Sequence, residues 1–224
     1  SPGSPAGSVV RVAEWARLFD LSDRHGFTIA ADECYSEIYH DEAAPPAGAL
    51  QAAQALGRTG FERLVVFSSL SKRSNAPGMR SGFVAGDAAI LKRFLLYRTY
   101  HGSAMSPTFQ AASIAAWNDE AHVRENRRMY REKFDAVTPV VASVLETRKP
   151  EAGFYLWARV PGGDGQSFCR ELLRQYNVLT LPGSFFARDH EGRNPGAGFI
   201  RLALVEPLDR CVEAAGRIRR FLSP

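Results

Sequence analysis

The chain has 224 residues, 45% of them hydrophobic and 23% charged, a balance that supports a buried core and excludes a disordered chain. Its net charge of +4 is carried by scattered Lys and Arg without a nucleic-acid signature, and no apolar run approaches bilayer length, so nucleic-acid and membrane partners are set aside. Cys34, Cys169 and Cys211 lack Cys-x-x-Cys spacing, which offers neither a disulfide framework nor a zinc site, fits a reducing cytoplasm and leaves no metal site expected.

Ser1-Pro-Gly-Ser-Pro-Ala-Gly7 has no initiator Met and reads as the interior of a longer chain, with prolines and glycines that predict a turn. From Ser8 to His25, Val12, Trp15, Leu18, Phe19 and Leu21 recur at roughly helical spacing, and Gly26 is placed to stop the helix. A strand over Phe27 to Ala31 follows, with Asp32 at its tip. The Pro- and Ala-rich stretch from His40 to Gly60 predicts a surface loop with one short helical turn.

The run Leu64-Val-Val-Phe67 predicts a buried strand, and the polar stretch after it places Ser69, Lys72 and Arg80 in a loop at the strand end, where α/β folds bind ligands. A hydroxyl and a guanidinium suit a phosphate, because the Arg fork matches phosphate oxygens bidentately. A lysine beside an anchored phosphate ester is what pyridoxal phosphate requires. Taken alone, a lysine among serines also fits an ordinary exposed loop.

Further along, Ser81 to Gly86 predicts a short strand, Asp87 a cap, and Ala88 to Tyr100 a helix. His101 to Pro107 breaks the pattern before an apolar helix over Phe109 to Trp117. A long charged helix then runs from Asn118 or Asp119 towards Leu145. Past Pro150 the chain predicts a small α+β region: a strand-rich run over Gly153 to Val160, a helix from Ser167 to Tyr176, strands over Val178 to Leu181 and Phe199 to Val205, and a helix from Leu208 to Leu222. Arg201 stands alone inside that last apolar strand, where an unpaired guanidinium is costly and calls for an anion. No internal repeat is present.

Asp32, Tyr35, Ser69, Lys72 and Arg80 together resemble, in kind, order and spacing, the fold-type I aminotransferases of class I/II. The resemblance implies an α/β fold: a large cofactor domain with a mixed, mostly parallel sheet and helices on both faces, over residues 1–120, and a linking helix with a small α+β domain over 121–224. It covers the whole chain but only the C-terminal part of the family's length, so the chain is read as a fragment without the family's N-terminal part.

The resemblance also assigns roles. Lys72 carries pyridoxal 5′-phosphate as a Schiff base and moves the proton, Asp32 meets the ring nitrogen, and Tyr35 meets the ring oxygen. Ser69 and Arg80 hold the phosphate, and Arg201 takes the substrate α-carboxylate. Ser4-Pro5-Ala6-Gly7 stands where the family has Asn-Pro-Thr-Gly, so Ser4 replaces an Asn that donates to the ring oxygen. At finer grain, the lysine loop, Tyr97 to Pro107 and Ala116 to Val123 resemble the succinyldiaminopimelate aminotransferases of lysine biosynthesis. That implies small amino-acid and oxo-acid substrates, a homodimer when full length, and remote carboxylates for which Arg73 and Arg98 are candidates. A related aminotransferase, a β-lyase and a non-catalytic sensor domain are the alternatives.

Overall fold

A computed structural model describes residues 1–223, which divide into two compact units. The first holds residues 1–2 and 8–127; the second holds Gly3–Gly7 and the chain from Arg128 onward. The boundary between the units falls within the helix Ala121–Ala142.

In the first unit, α1 (Val12–His25) buries Trp15, Phe19 and Ser22, which fall on one helical face. The buried Ser22 hydroxyl donates to the Phe27 carbonyl at 2.6 Å, and Gly26, at φ 71°, ends the helix in the left-handed conformation that glycine adopts without strain. Strands β1 (Ile29–Asp32), β2 (Leu64–Ser69) and β3 (Gly82–Gly86) form one sheet in that order, β1 parallel and β3 antiparallel to β2.

The stretch read as a loop with one turn contains α2 (Ala49–Ala55), which buries Ala49, Ala52 and Ala53 against Trp15, Phe19, Ala31, Leu64 and Val66. Alanine carries little hydrophobic signal, so its i, i+3, i+4 stripe was weak in sequence. The lysine loop likewise contains a single turn, α3 (Leu70–Arg73), followed by a 3₁₀ turn at Pro77–Met79. Helices α4 (Ala88–Tyr100), capped by Asp87, and α5 (Pro107–Asn118), capped by Ser106, complete the unit with the start of α6 (Ala121–Ala142).

The second unit carries an antiparallel sheet of β4 (Tyr155–Arg159), β6 (Phe199–Ala203) and β5 (Leu181–Pro182), with β6 in the middle. The strand expected over Val178–Leu181 reduces to Leu181–Pro182, since only these two residues pair with β6. Phe134, Val137 and Val141 of α6, Phe168 and Leu172 of α7 (Gly165–Tyr176), and Ala215 and Ile218 of α8 (Leu208–Leu222) close over Leu156, Ile200 and Leu202 of the sheet. Among the described residues no helix is long and apolar enough to cross a membrane.

Candidate active site

Parallel pairing of β1 with β2 sets Asp32 opposite Phe67, and the Glu33 amide donates to the Phe67 carbonyl at 2.8 Å. Asp32 therefore leaves the sheet at the end where β2 runs on into Ser68, Ser69 and α3. The Asp32 carboxylate accepts the Cys34 amide at 3.0 Å, which turns the chain towards Tyr35. Ile38, 1% exposed, anchors the segment beyond, and Arg127 of α6 bonds both Glu37 and Glu42 while lying 4.4 Å over the Tyr39 ring.

Ser69 caps α3, its hydroxyl accepting the Ser71 amide at 3.4 Å and donating to the Cys34 sulfur at 3.3 Å. Gly82 lies across from Ser69, where a Cβ would sit 3.2 Å from the Ser69 Cβ and run into the Ser68 carbonyl oxygen. Arg80 holds the left-handed conformation at φ 52°, an uncommon state for a side-chain-bearing residue, with its guanidinium donating to the Pro77 carbonyl at 2.8 Å. Cys34, Tyr35, Ser69, Ser71, Lys72 and Arg80 line one cavity of about 420 Å³, with Gly82 among its walls.

This donor set fits pyridoxal phosphate: a guanidinium and serine hydroxyls for a phosphate, an amine for an aldehyde, and a phenol for a ring oxygen. Burial pushes the Cys34 thiol above its ordinary value, and neither the Ser69 hydrogen bond nor the Lys72 charge overcomes that, so a neutral thiol faces the cavity. Glu33, beside it in sequence, is likewise raised by burial although its carboxylate accepts the Ala49 amide at 2.6 Å. Among the described residues no cluster of His, Cys, Asp or Glu is placed to hold a metal.

Tyr35, Ser69, Lys72 and Arg80 thus share one cavity, whereas Asp32 is not among its lining residues and is linked to it only by accepting the amide of Cys34. Arg201 and Ser4 belong to the second unit. Arg201 lies between two rings, 4.1 Å from that of Tyr155 and 4.0 Å from that of Phe186, and its Nε is buried with no hydrogen-bond partner. A buried guanidinium nitrogen without a partner is costly and calls for an acceptor. The expected lone arginine in an apolar strand is therefore half-covered by aromatic faces instead of solvent. It also borders a larger cavity of about 610 Å³ whose other walls, such as Val141, Leu204 and Ile218, are largely aliphatic and carry no lysine.

The two arginines expected to read remote carboxylates are otherwise engaged. Arg73 is 4% exposed and bonds the Ala116 and Trp117 carbonyls and the Glu120 carboxylate. Arg98 donates to the carbonyls of His101 and Ser103, bracing the loop after α4. Sequence reasoning also passed over Cys34 and Ser71 as cavity residues. Their proximity to Asp32 and Lys72 was the available signal.

With this geometry in hand, the chain compares with known proteins as follows. The family model described as aminotransferase class I and II matches residues 1–218. An LL-diaminopimelate aminotransferase of Nitratidesulfovibrio vulgaris is 33% identical over 221 residues, covering 97% of this chain and 54% of its own length. A solved aminotransferase of Neisseria meningitidis superposes with a TM-score of 0.94 at 55% identity, over 100% of this chain and 56% of that one. A probable N-succinyldiaminopimelate aminotransferase of Thermus thermophilus gives a TM-score of 0.82 at 30% identity, over 98% of this chain and 56% of its own. The chain spans about half the length of the curated relatives it matches.

Proposed function

The chain belongs to the class I and II aminotransferase family, whose members use pyridoxal 5′-phosphate, and on that premise we propose that the protein it represents transfers amino groups between an amino acid and an oxo acid. The observation that carries this reading is the single cavity lined by Tyr35, Ser69, Lys72 and Arg80. When bound, the cofactor supplies a carbonyl carbon that exchanges amines and a conjugated ring that takes up electron density.

The chain's own residues do the rest. Arg80 and Ser69 hold the phosphate, fixing one end of the site with charge-assisted bonds. The Asp32 carboxylate keeps the ring-nitrogen proton in place, and the Tyr35 hydroxyl bonds the ring oxygen, with Ser4 at the position of a second donor. The Lys72 amine anchors the cofactor and then, released, moves the proton at the substrate Cα as acid and base. Arg201 takes the α-carboxylate on its fork, the role its orphaned Nε and aromatic surroundings suit. Residues 1–120 form the C-terminal part of the cofactor domain and residues 121–224 the linking helix and small domain.

For the substrate we propose N-succinyl-2-amino-6-oxoheptanedioate as acceptor and glutamate as donor, in lysine biosynthesis in the cytoplasm. The likeness to the Thermus thermophilus protein and the short motifs around Lys72 support it. A homodimer is proposed on the apolar surface of α4 and α5, where Leu95, Tyr100 and Ile114 are 70%, 84% and 62% exposed. The test is amino transfer by the full-length protein from glutamate to a panel of oxo acids. Fastest turnover with the succinylated acceptor is expected. Transfer only in the opposite direction, from LL-diaminopimelate as amino donor to 2-oxoglutarate, would move the assignment to the activity named for the Nitratidesulfovibrio relative, and cofactor binding without any transfer would make the protein a sensor.

A further inference from the structure

A single helical turn has no stability of its own, because nucleating a helix fixes several residues for one hydrogen bond. Yet α3, only Leu70–Arg73, carries the lysine on which the proposed reaction depends. What holds this turn lies on its far side. Ser71 and Lys72 line the cavity, whereas Leu70 and Arg73, at the two ends of the turn, are 0% and 4% exposed.

The Arg73 guanidinium reaches the C-terminal end of α5. It donates to the Ala116 carbonyl at 2.8 Å and to the Trp117 carbonyl at 3.4 Å, bonds the Glu120 carboxylate, and lies 5.0 Å from the Trp117 ring centroid. Carbonyls in a helix's last turn lack intrahelical partners and present the negative end of the helix dipole, so a buried cation there is both bonded and electrostatically matched. Two further links run to the same turn from α6. His122 Nε2 meets the Ser74 hydroxyl at 2.8 Å while its Nδ1 meets Asp119 at 2.8 Å, and the Asn126 amide reaches the Lys72 carbonyl at 3.5 Å.

We propose that Arg73 is a positioning residue for Lys72: by locking α3 onto the end of α5, with Glu120 as its counter-charge, it sets where the lysine amine stands in the cavity. The inference rests on the reading of Lys72 as the cofactor lysine. Arginine is required because a lysine at 73 has no planar fork with which to satisfy two carbonyls and a carboxylate at once. The site is built for rigidity, since misplacing a reacting group by about 1 Å costs on the order of a hundredfold in rate.

The test uses the full-length protein with Arg73→Met, Arg73→Lys and the milder Glu120→Gln, which keeps the fold accessible should Arg73→Met not accumulate. Two readouts are taken. In the cofactor-free protein, amide hydrogen exchange at Leu70 and Ser74 should speed at least about tenfold in Arg73→Met while Val65 and Val66 in β2 keep their wild-type protection. In the loaded protein, kcat should fall roughly ten- to a hundredfold with KM for the amino donor changed less than about twofold, Arg73→Lys and Glu120→Gln lying between. Unchanged exchange at α3, or wild-type kcat in a variant whose α3 exchange has risen, overturns the proposal and leaves Arg73 a residue of the fold alone. Borohydride reduction that fails to fix the cofactor to Lys72 in the wild type would instead sink the reading of Lys72, separately from that of Arg73.

Discussion

The Asp32 carboxylate accepts the backbone N–H of Cys34 at 3.0 Å. The contact needs only an acceptor oxygen, and an asparagine offers one in the same place. Asp32→Asn therefore keeps the turn into Tyr35 and deletes the charge alone. The proposed task of that charge is to stabilise the transition state, so kcat should fall by roughly a hundredfold or more with a change in substrate KM under about threefold. Wash-in of solvent deuterium at the substrate Cα measures the affected step. Exchange as fast as wild type would reduce Asp32 to a turn residue.

Lys72→Ala should abolish multiple turnover in the full-length protein while preserving its fold. No other residue lining the cavity carries an amine. Loss of stability should stay within about 0.5 kcal/mol, the usual range of substitutions outside the core. Near-normal turnover by a mutant of verified mass would remove Lys72 from the reaction.

Arg201→Lys keeps a cation between the Tyr155 and Phe186 rings but loses the fork. Binding of the amino-acid substrate should weaken by about 2 kcal/mol, roughly thirtyfold in KM. Cofactor affinity, measured by fluorescence titration, should hold within about twofold. An unchanged KM would mean the orphaned Nε serves no carboxylate.

Glu33 supplies a pH dependence. Burial, working against the Ala49 hydrogen bond, holds its carboxyl above the ordinary value, so the folded protein binds this proton more tightly than the unfolded chain. Stability contributed at this site is then lost as pH rises from the ordinary carboxylate value through the raised one. Glu33→Gln cannot ionise and still offers an oxygen to Ala49. Its Tm should match wild type at about pH 4, overtake it as pH rises, and stay ahead at neutrality. A gap that closes on going to neutral pH contradicts this sign.

Much of the first unit was legible because its signals are local. Gly26 ends α1 and Asp87 caps α4 as their chemistry dictates, Asp87 accepting the Ala89 and Ile90 amides at 2.8 and 3.2 Å. The residues of the cavity were legible as a pattern, since Tyr35, Ser69, Lys72 and Arg80 stand at strand ends or just beyond them. What escaped depends on distance in sequence. The turn α3 exists through partners such as Glu120, 47 residues from Arg73, and no periodicity announces a four-residue helix. Arg73 itself looked like a surface cation beside a functional lysine. Its burial follows from the end of α5, which the sequence shows only as a helix stopping near Trp117. Val178 to Thr180 had strand composition, but β5 pairs with β6 only at Leu181 and Pro182.

The opening turns of α6 hold both cavity segments from behind, His122 and Asn126 gripping the lysine turn and Arg127 gripping Glu37 and Glu42. Fastening and the proposed chemistry are thereby assigned to different side chains on the same short segments. Positions such as Cys34 and Ser71 face the cavity without being bonded to α6, so they are free to drift or to be redesigned for another substrate while the scaffold stays fixed. A library randomised at those two positions should keep its folded fraction and vary in what it accepts, whereas one randomised at Arg73 and Arg127 should lose folded protein first.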